Sequence, residues 1–231
     1  MTTYNPDVTS DGPSNDYPVS LEIDYVDSGR DRLTVLFRIF TMIPIVILLG
    51  GFGTGYWDSS YWQSTTTATD GYEWSSSLGY GIGGVSLLFW PVLLMIVFQQ
   101  KYPRWWFDFN LELLRFSTRV GTYVGLLTDT YPSTDEEQNV HLTLEYPDAK
   151  QLNRWLPLIK WFLAIPHYIA LFVLYIVAIV LLVIGWFTIL ITGRFPKGIH
   201  NFLVGVTRWS IRVEAYAIFL TTDKYPPFSL D

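Results

Sequence analysis

Residues Trp155 to Thr192 read WLPLIKWFLAIPHYIALFVLYIVAIVLLVIGWFTILIT, an apolar run whose one full charge is Lys160 and whose one histidine is His167. As a single helix at ~1.5 Å per residue it would extend about 57 Å. A bilayer's hydrocarbon core is about 30 Å thick and takes about 20 helical residues. The run is too long for one crossing and long enough for two. A helical hairpin is therefore expected, with a tight turn near Phe172 to Tyr175.

The rest of the chain has the same character. Half of its 231 residues are hydrophobic, 17% are aromatic and only 16% charged, with a mean hydropathy of +0.25. These values lie on the membrane side of the soluble range. Cysteine is absent, which excludes disulfides, thiolate metal sites and cysteine nucleophiles. The net charge of -6 argues against a nucleic-acid partner, but it is unevenly spread. Thirteen of the 21 acids fall in residues 1–31 and 129–148, whereas Lys150 to Val213 holds seven basic residues and no acid. The first 32 residues are polar and acidic, so no cleavable signal peptide is expected.

From the N-terminus, residues 1–16 carry little to bury and are expected to form a disordered tail. Val19 to Tyr25 alternates apolar and polar positions, the period of a half-buried strand. Residues 33–50 form a first candidate membrane helix with Arg38 and Pro44 inside it, and 78–98 a second with a glycine-rich start. All 15 positive charges lie outside the intervening 51–77 loop, so the positive-inside rule places that loop on the outer side and both termini in the cytoplasm. Residues 104–127 have apolar positions at three- and four-residue steps with charges opposite, an amphipathic helix suited to the headgroup layer. After a linker at 134–139 the pattern starts again: a strand at 140–146, the apolar run at 155–192, and an amphipathic helix at 199–222.

The second pass matches the first residue by residue. Val19, Leu21, Ile23 and Tyr25 correspond to Val140, Leu142, Leu144 and Tyr146 at an offset of 121, and Arg38 and Pro44 to Lys160 and Pro166 at 122. Tyr102-Pro103 corresponds to Phe195-Pro196, and Arg115, Arg119 and Tyr123 to Arg208, Arg212 and Tyr216, at 93. The drop of 122 − 93 = 29 residues is about the length of the outer loop. The expectation is an all-α membrane protein with minor β: four transmembrane helices as two tandem hairpin repeats, 17–133 and 140–231. Each repeat would be preceded by a short cytoplasmic strand and followed by an interfacial amphipathic helix.

The motifs Ala164-Ile165-Pro166-His167, Thr192-Gly193-Arg194-Phe195-Pro196, Arg208-Trp209…Arg212-Val213 and Leu220-Thr221-Thr222-Asp223-Lys224-Tyr225-Pro226-Pro227-Phe228 resemble the DUF4389 family of bacterial integral membrane proteins. The resemblance covers residues 17–230 as two copies, the second the closer. Copy one departs from it at Ile45, in place of His167, and at Ser133, where a second proline would stand. The resemblance implies a bacterial inner-membrane, multi-pass location and carries no activity.

Three groups of side chains merit attention. Arg38 and Lys160 stand in equivalent apolar segments, where charge is a functional candidate, although near a helix end such side chains are expected to snorkel to the interface. The pairs Arg115/Arg119 and Arg208/Arg212 are spaced i, i+4 and suit lipid phosphates, or salt bridges to Glu112 and Glu214. Tyr56, Trp57, Tyr61, Trp62, Tyr72 and Trp74 in the outer loop suit partner docking, since Tyr and Trp dominate interface hot spots. His167 is a weak candidate for a metal, haem or pigment ligand, because no partner histidine lies at its depth. No phosphate loop, paired-histidine metal spacing or nucleophile triad occurs. The function expected is therefore a non-enzymatic accessory or scaffolding subunit without a cofactor. Its partners would be anionic lipid and other membrane subunits or a second copy. The alternative is lipid or small-solute handling in the groove between the repeats.

Overall fold

The computed structural model describes residues 17–25, 30, 32–53, 84–133 and 138–231. The N-terminal tail, the outer loop beyond Gly53 and most of the linker lie outside the described residues, and with them all six aromatic docking candidates.

Strand β1 (Val19–Ile23) pairs antiparallel with β2 (Val140–Leu144) in a two-stranded sheet. The alternation seen in the sequence is realised. Val19, Leu21, Ile23, Val140 and Leu142 point into the core, while Ser20, Glu22, His141 and Thr143 face out. The register joins Val19 to Leu144, Leu21 to Leu142 and Ile23 to Val140, so the residues equivalent by the 121 offset meet at the centre.

Among the described residues there are six α-helices, α1 (Arg32–Gly53), α2 (Gly84–Leu94), α3 (Arg104–Val124), α4 (Pro157–Leu163), α5 (Ile165–Thr192) and α6 (Lys197–Ala217), of which α3 and α6 pack on the strands. A π-helical turn, Met95–Gln99, extends α2 and ends at Gln100 in the left-handed region. Prolines Pro103 and Pro196 stand as N-caps of α3 and α6 in extended conformation, where the missing N–H costs no intrahelical bond.

The expected hairpin at 155–192 is absent. Ile165 to Thr192 is one continuous helix of 28 residues, joined through Ala164 to the short α4, with no turn at Phe172 to Tyr175. Nothing in Phe172-Val173-Leu174-Tyr175 favours reversal, because the segment has no glycine, proline or short polar residue to leave the helix. The helix stops instead at Gly193, whose φ of 72° is the left-handed cap that glycine adopts without a Cβ clash. Among the described residues α5 alone is long and apolar enough to cross a membrane. Four crossings in two hairpins are thus replaced by one long apolar helix, five other α-helices and a small sheet.

Beyond Gly193 the chain turns back, and α6 runs antiparallel along α5. The ring of Phe195 lies against Gly185, Ser210 meets Tyr175 at 2.6 Å, Trp209 meets His167 at 3.1 Å, and Tyr216 and Ala217 pack near Ala164. The sheet lies on the other side of α6. Arg208 Nε donates to the Leu21 carbonyl at 3.1 Å, and Ser210, two residues on and therefore about 200° around the helix, faces α5. With both flanks covered, α6 is buried over most of its surface, whereas α5 buries only one stripe, His167, Leu171, Ala178, Gly185 and Ile189. The amphipathic helix expected in a headgroup layer is an interior layer of the protein.

Candidate functional site

The basic residues singled out from the sequence are the natural starting point, and the structure places them in matched pairs. Arg38 on α1 is 3% exposed, pairs with Asp129 at 2.6 Å, donates to the Tyr123 carbonyl at 2.8 Å and lies 4.4 Å from the centre of that tyrosine's ring. Lys160 on α4 is 0% exposed, pairs with Asp223 at 2.7 Å, donates to the Thr222 carbonyl at 2.6 Å and lies 5.1 Å from the Tyr216 ring. Two cations 122 residues apart thus have partners 94 and 93 residues apart, in the same arrangement. Neither snorkels outward. Each is buried at the foot of its helix on an acid from the Tyr-Pro exit of its own half. Burial pulls the Lys160 ammonium below its usual range, and Asp223 opposes the shift.

The arginine pairs are likewise turned inward. Arg115 Nε donates to the Leu142 carbonyl at 3.1 Å while its guanidinium pairs with Glu112 at 2.6 Å. Arg208 makes the corresponding bond to Leu21 at the same 3.1 Å and a second to the Leu230 carbonyl at 3.2 Å. Each arginine therefore reaches the strand of the opposite half. Arg119 donates to the Ser133 carbonyl at 2.8 Å, and Arg212 is 1% exposed with its Nε and Nη1 enclosed. Within the fold Arg38, Lys160, Arg115, Arg119 and Arg208 bond to backbone carbonyls, and the first three also to the carboxylates of Asp129, Asp223 and Glu112. Of the expected salt bridges only the one to Glu112 forms among the described residues. Glu214 has no ion-pair partner there, and burial pushes its carboxyl up to about 7.

The cross-linking extends to tyrosines. Tyr25 donates to the Phe195 carbonyl at 2.6 Å, and its equivalent Tyr146 donates to the carbonyl of Tyr102, the equivalent of Phe195. The Tyr102 hydroxyl donates to the Phe219 carbonyl at 2.9 Å. Phe195 lacks a hydroxyl, and Arg30, whose guanidinium lies 5.1 Å from its ring, donates instead to the Leu126 and Leu127 carbonyls. Sequence reasoning did not single out Arg30, Asp129 or Asp223. The two acids, 94 residues apart and one off the offset of 93 that joins the arginines, were the available signal.

His167 is fully buried. The Trp209 indole donates to its Nδ1, which leaves the ring proton on Nε2 in the neutral form, and Nε2 is enclosed without a partner. Phe228 stacks on the ring at 4.0 Å and Tyr225 lies at 4.7 Å, so the C-terminal segment seals the site. With its accepting nitrogen occupied and its face covered, this imidazole offers no lone pair to a metal. No group of three or more His, Cys, Asp or Glu able to hold a metal occurs among the described residues.

Two apolar crevices remain, also in equivalent places. One, of about 400 Å³, lies between α1 and α5 and is lined by Val35, Met42, Leu182, Val183, Trp186 and Phe187 among others. The second, of about 340 Å³, lies between α2 and α4 and is lined by Phe89, Trp90, Leu93, Leu158 and Trp161 with Tyr168 and Ala217. Both open beside a flank of α5 that is exposed among the described residues. Ile169, Phe172, Ile176, Ile179, Val180 and Phe187 are all more than half exposed there, and Phe37, Phe40 and Ile47 of α1 are similarly bare. An apolar surface of this continuity on a soluble monomer would mark a binding face.

Residues 155–229 match the DUF4389 family, a domain of unknown function. The match takes in α4, α5, α6 and the C-terminal segment that seals His167, and covers one copy of the motif. No curated protein and no solved structure matches the chain.

Proposed function

We propose that this protein is a non-enzymatic membrane scaffold, an accessory subunit that sits in a bilayer through α5 and its neighbours and holds other membrane components. The observation that carries the reading is the contrast between its two sides. Arginine, lysine and tyrosine side chains that could have served chemistry are committed to carbonyls and carboxylates inside the fold and His167 to the Trp209 indole, whereas a long apolar flank is exposed among the described residues. In this reading residues 17–133 are a second, divergent copy of the unit matched at 155–229. The matched ion pairs, the swapped arginine bonds and the central pairing of Leu21 with Leu142 support it. The aromatics of the outer loop would supply a docking point.

The test is extraction from native membranes in mild detergent with identification of everything that co-purifies. A stoichiometric membrane-protein partner is expected, and a chain that always emerges alone would count against the scaffold. A second reading, lipid handling, is favoured by the two matched apolar crevices, whose size suits stretches of acyl chain. Native mass spectrometry separates it from the first: retained lipid that is lost on substitution of Val183 and Leu182 by larger residues is its expected signature.

A further inference from the structure

We infer that α5 lies along one leaflet, parallel to the membrane surface, and does not cross the bilayer. The inference rests on the membrane reading above and concerns how the apolar face is used.

The antiparallel helix α6 accompanies α5 from the Phe195–Gly185 contact at one end to the cluster of Ala164 with Tyr216 and Ala217 at the other. Whatever depth α5 occupies, α6 occupies too. On the opposite flank of α6 lies the sheet, fixed by Arg208 to Leu21, next to the Ser210 bond to Tyr175 near the middle of α5. Were α5 to span, the sheet would sit at the bilayer midplane. Its outer face would carry Glu22, Asp24, His141 and Glu145, all exposed, into hydrocarbon. Charges are what a hydrocarbon core does not tolerate. Laid flat, the same molecule has polar sheet on its water side, α6 between, and α5 on its lipid side.

Charge placement fits an anionic leaflet. At the α4 end of the rod stand exposed Lys150 and Arg154 beside Trp155, and at the far end exposed Arg194 and Lys197, with Arg32 reaching toward Gly193. Cations thus flank the apolar face at both ends, where headgroups would meet a flat helix. Exposed Glu22, Asp24 and Glu145 lie on or next to the sheet, away from that face, while exposed Asp148 stands beside Lys150. The occupant that fits is a single leaflet containing anionic lipid.

Because the chain has no cysteine, single cysteines report position without background. Arg154→Cys and Arg194→Cys, expressed in full-length protein and assayed in inside-out membrane vesicles, are treated with a membrane-impermeant maleimide. The expected result is that both label to the same extent from the same side. Labelling of one end before permeabilisation and of the other only after it would overturn the proposal. Spin labels at Ile169, Ile176, Val180 and Phe187, in vesicles of phosphatidylethanolamine and phosphatidylglycerol, should show nearly equal and shallow depths. A profile that peaks at Ile176 and Val180 would mean a spanning helix, and labels that no lipid-phase oxygen reaches would mean that protein, such as a second copy, covers the face. Either result overturns the proposal. Failure of the protein to float with vesicles overturns the membrane reading itself, an outcome distinct from either orientation result in protein that does float.

Discussion

Lys160 and Asp223 meet at 2.7 Å with the lysine fully enclosed, and Arg38 and Asp129 repeat that pairing at 2.6 Å in the other half. A buried charge pair holds an arrangement more than it adds stability, because desolvation of both ions offsets much of their attraction. Removing one partner leaves the other buried and uncompensated. Lys160→Met alone and Asp223→Asn alone should each destabilise by about 3–5 kcal/mol. The double variant should recover much of that loss. Denaturant titration of detergent-solubilised protein checks the cycle, and additive losses would show that the two groups act independently.

Arg208 bridges from α6 to the Leu21 and Leu230 carbonyls with separate nitrogens of one planar group. A lysine at this position has one ammonium and cannot span both. Arg208→Ala should cost about 1.5–3 kcal/mol, typical of hydrogen bonds from a charged donor. Arg208→Lys should recover little of it. Amide hydrogen exchange in Val19–Ile23 should quicken in both variants, and Arg115→Ala should do the same for Val140–Leu144, since Arg115 bonds to Leu142.

Gly185 is the place where the turn closes. A Cβ there would stand 2.3 Å from Phe195 Cε2, closer than side-chain carbons approach. Gly185→Ala must displace the ring that Arg30 overlies, with an expected loss of about 1–3 kcal/mol from overpacking. The smaller side chain of Phe195→Leu should relieve part of the clash. Melting temperatures of the two single variants and the double reveal the coupling, and equal melting of Gly185→Ala and the parent would contradict the tight approach.

Glu214 makes the fold sensitive to pH. Burial raises its carboxyl from 4.5 to about 7, so the folded state holds a proton that the unfolded chain has already released between those values. Stability is therefore greatest below the unfolded value and falls as pH rises from about 4.5 through 7, by at most about 3 kcal/mol at ~1.36 kcal/mol per unit. Glu214→Gln should flatten this segment of the stability profile, measured by urea titration at closely spaced pH. A parent profile already flat across that range would refute the assignment.

The local patterns of this chain were legible because they are periodic. Alternation at Val19–Ile23 and three-and-four spacing after Arg104 depend on which face of an element is buried, and that survived into the fold. Like contacts do occur at residues joined by the offsets 122 and 93, Arg38 with Lys160 and Arg115 with Arg208. What periodicity could not supply was direction. An all-round apolar run has no face, so its length alone left a hairpin and a continuous rod undecided, and the absence of any turn-forming residue at Phe172–Tyr175 was the neglected sign. The acids that pair with Arg38 and Lys160 were hidden for a related reason. Asp129 and Asp223 are 91 and 63 residues from their partners, and a one-residue insertion at Thr222 moved the acids off the offset that linked the arginines.

The central pairing of Leu21 with Leu142 resembles the contact of a twofold homodimer, in which the same residue meets itself across the axis. Here both sides of that contact belong to one polypeptide. Arg115 completes the strand of the later half and Arg208 that of the earlier, so each half is saturated only by the other. Covalent linkage turns such an association from a matter of concentration into an intramolecular event of high effective molarity. A chain opened between Ser133 and Gln138 would thereby trade a fixed stability for one that rises with the amount of protein present, and dilution would become a denaturant.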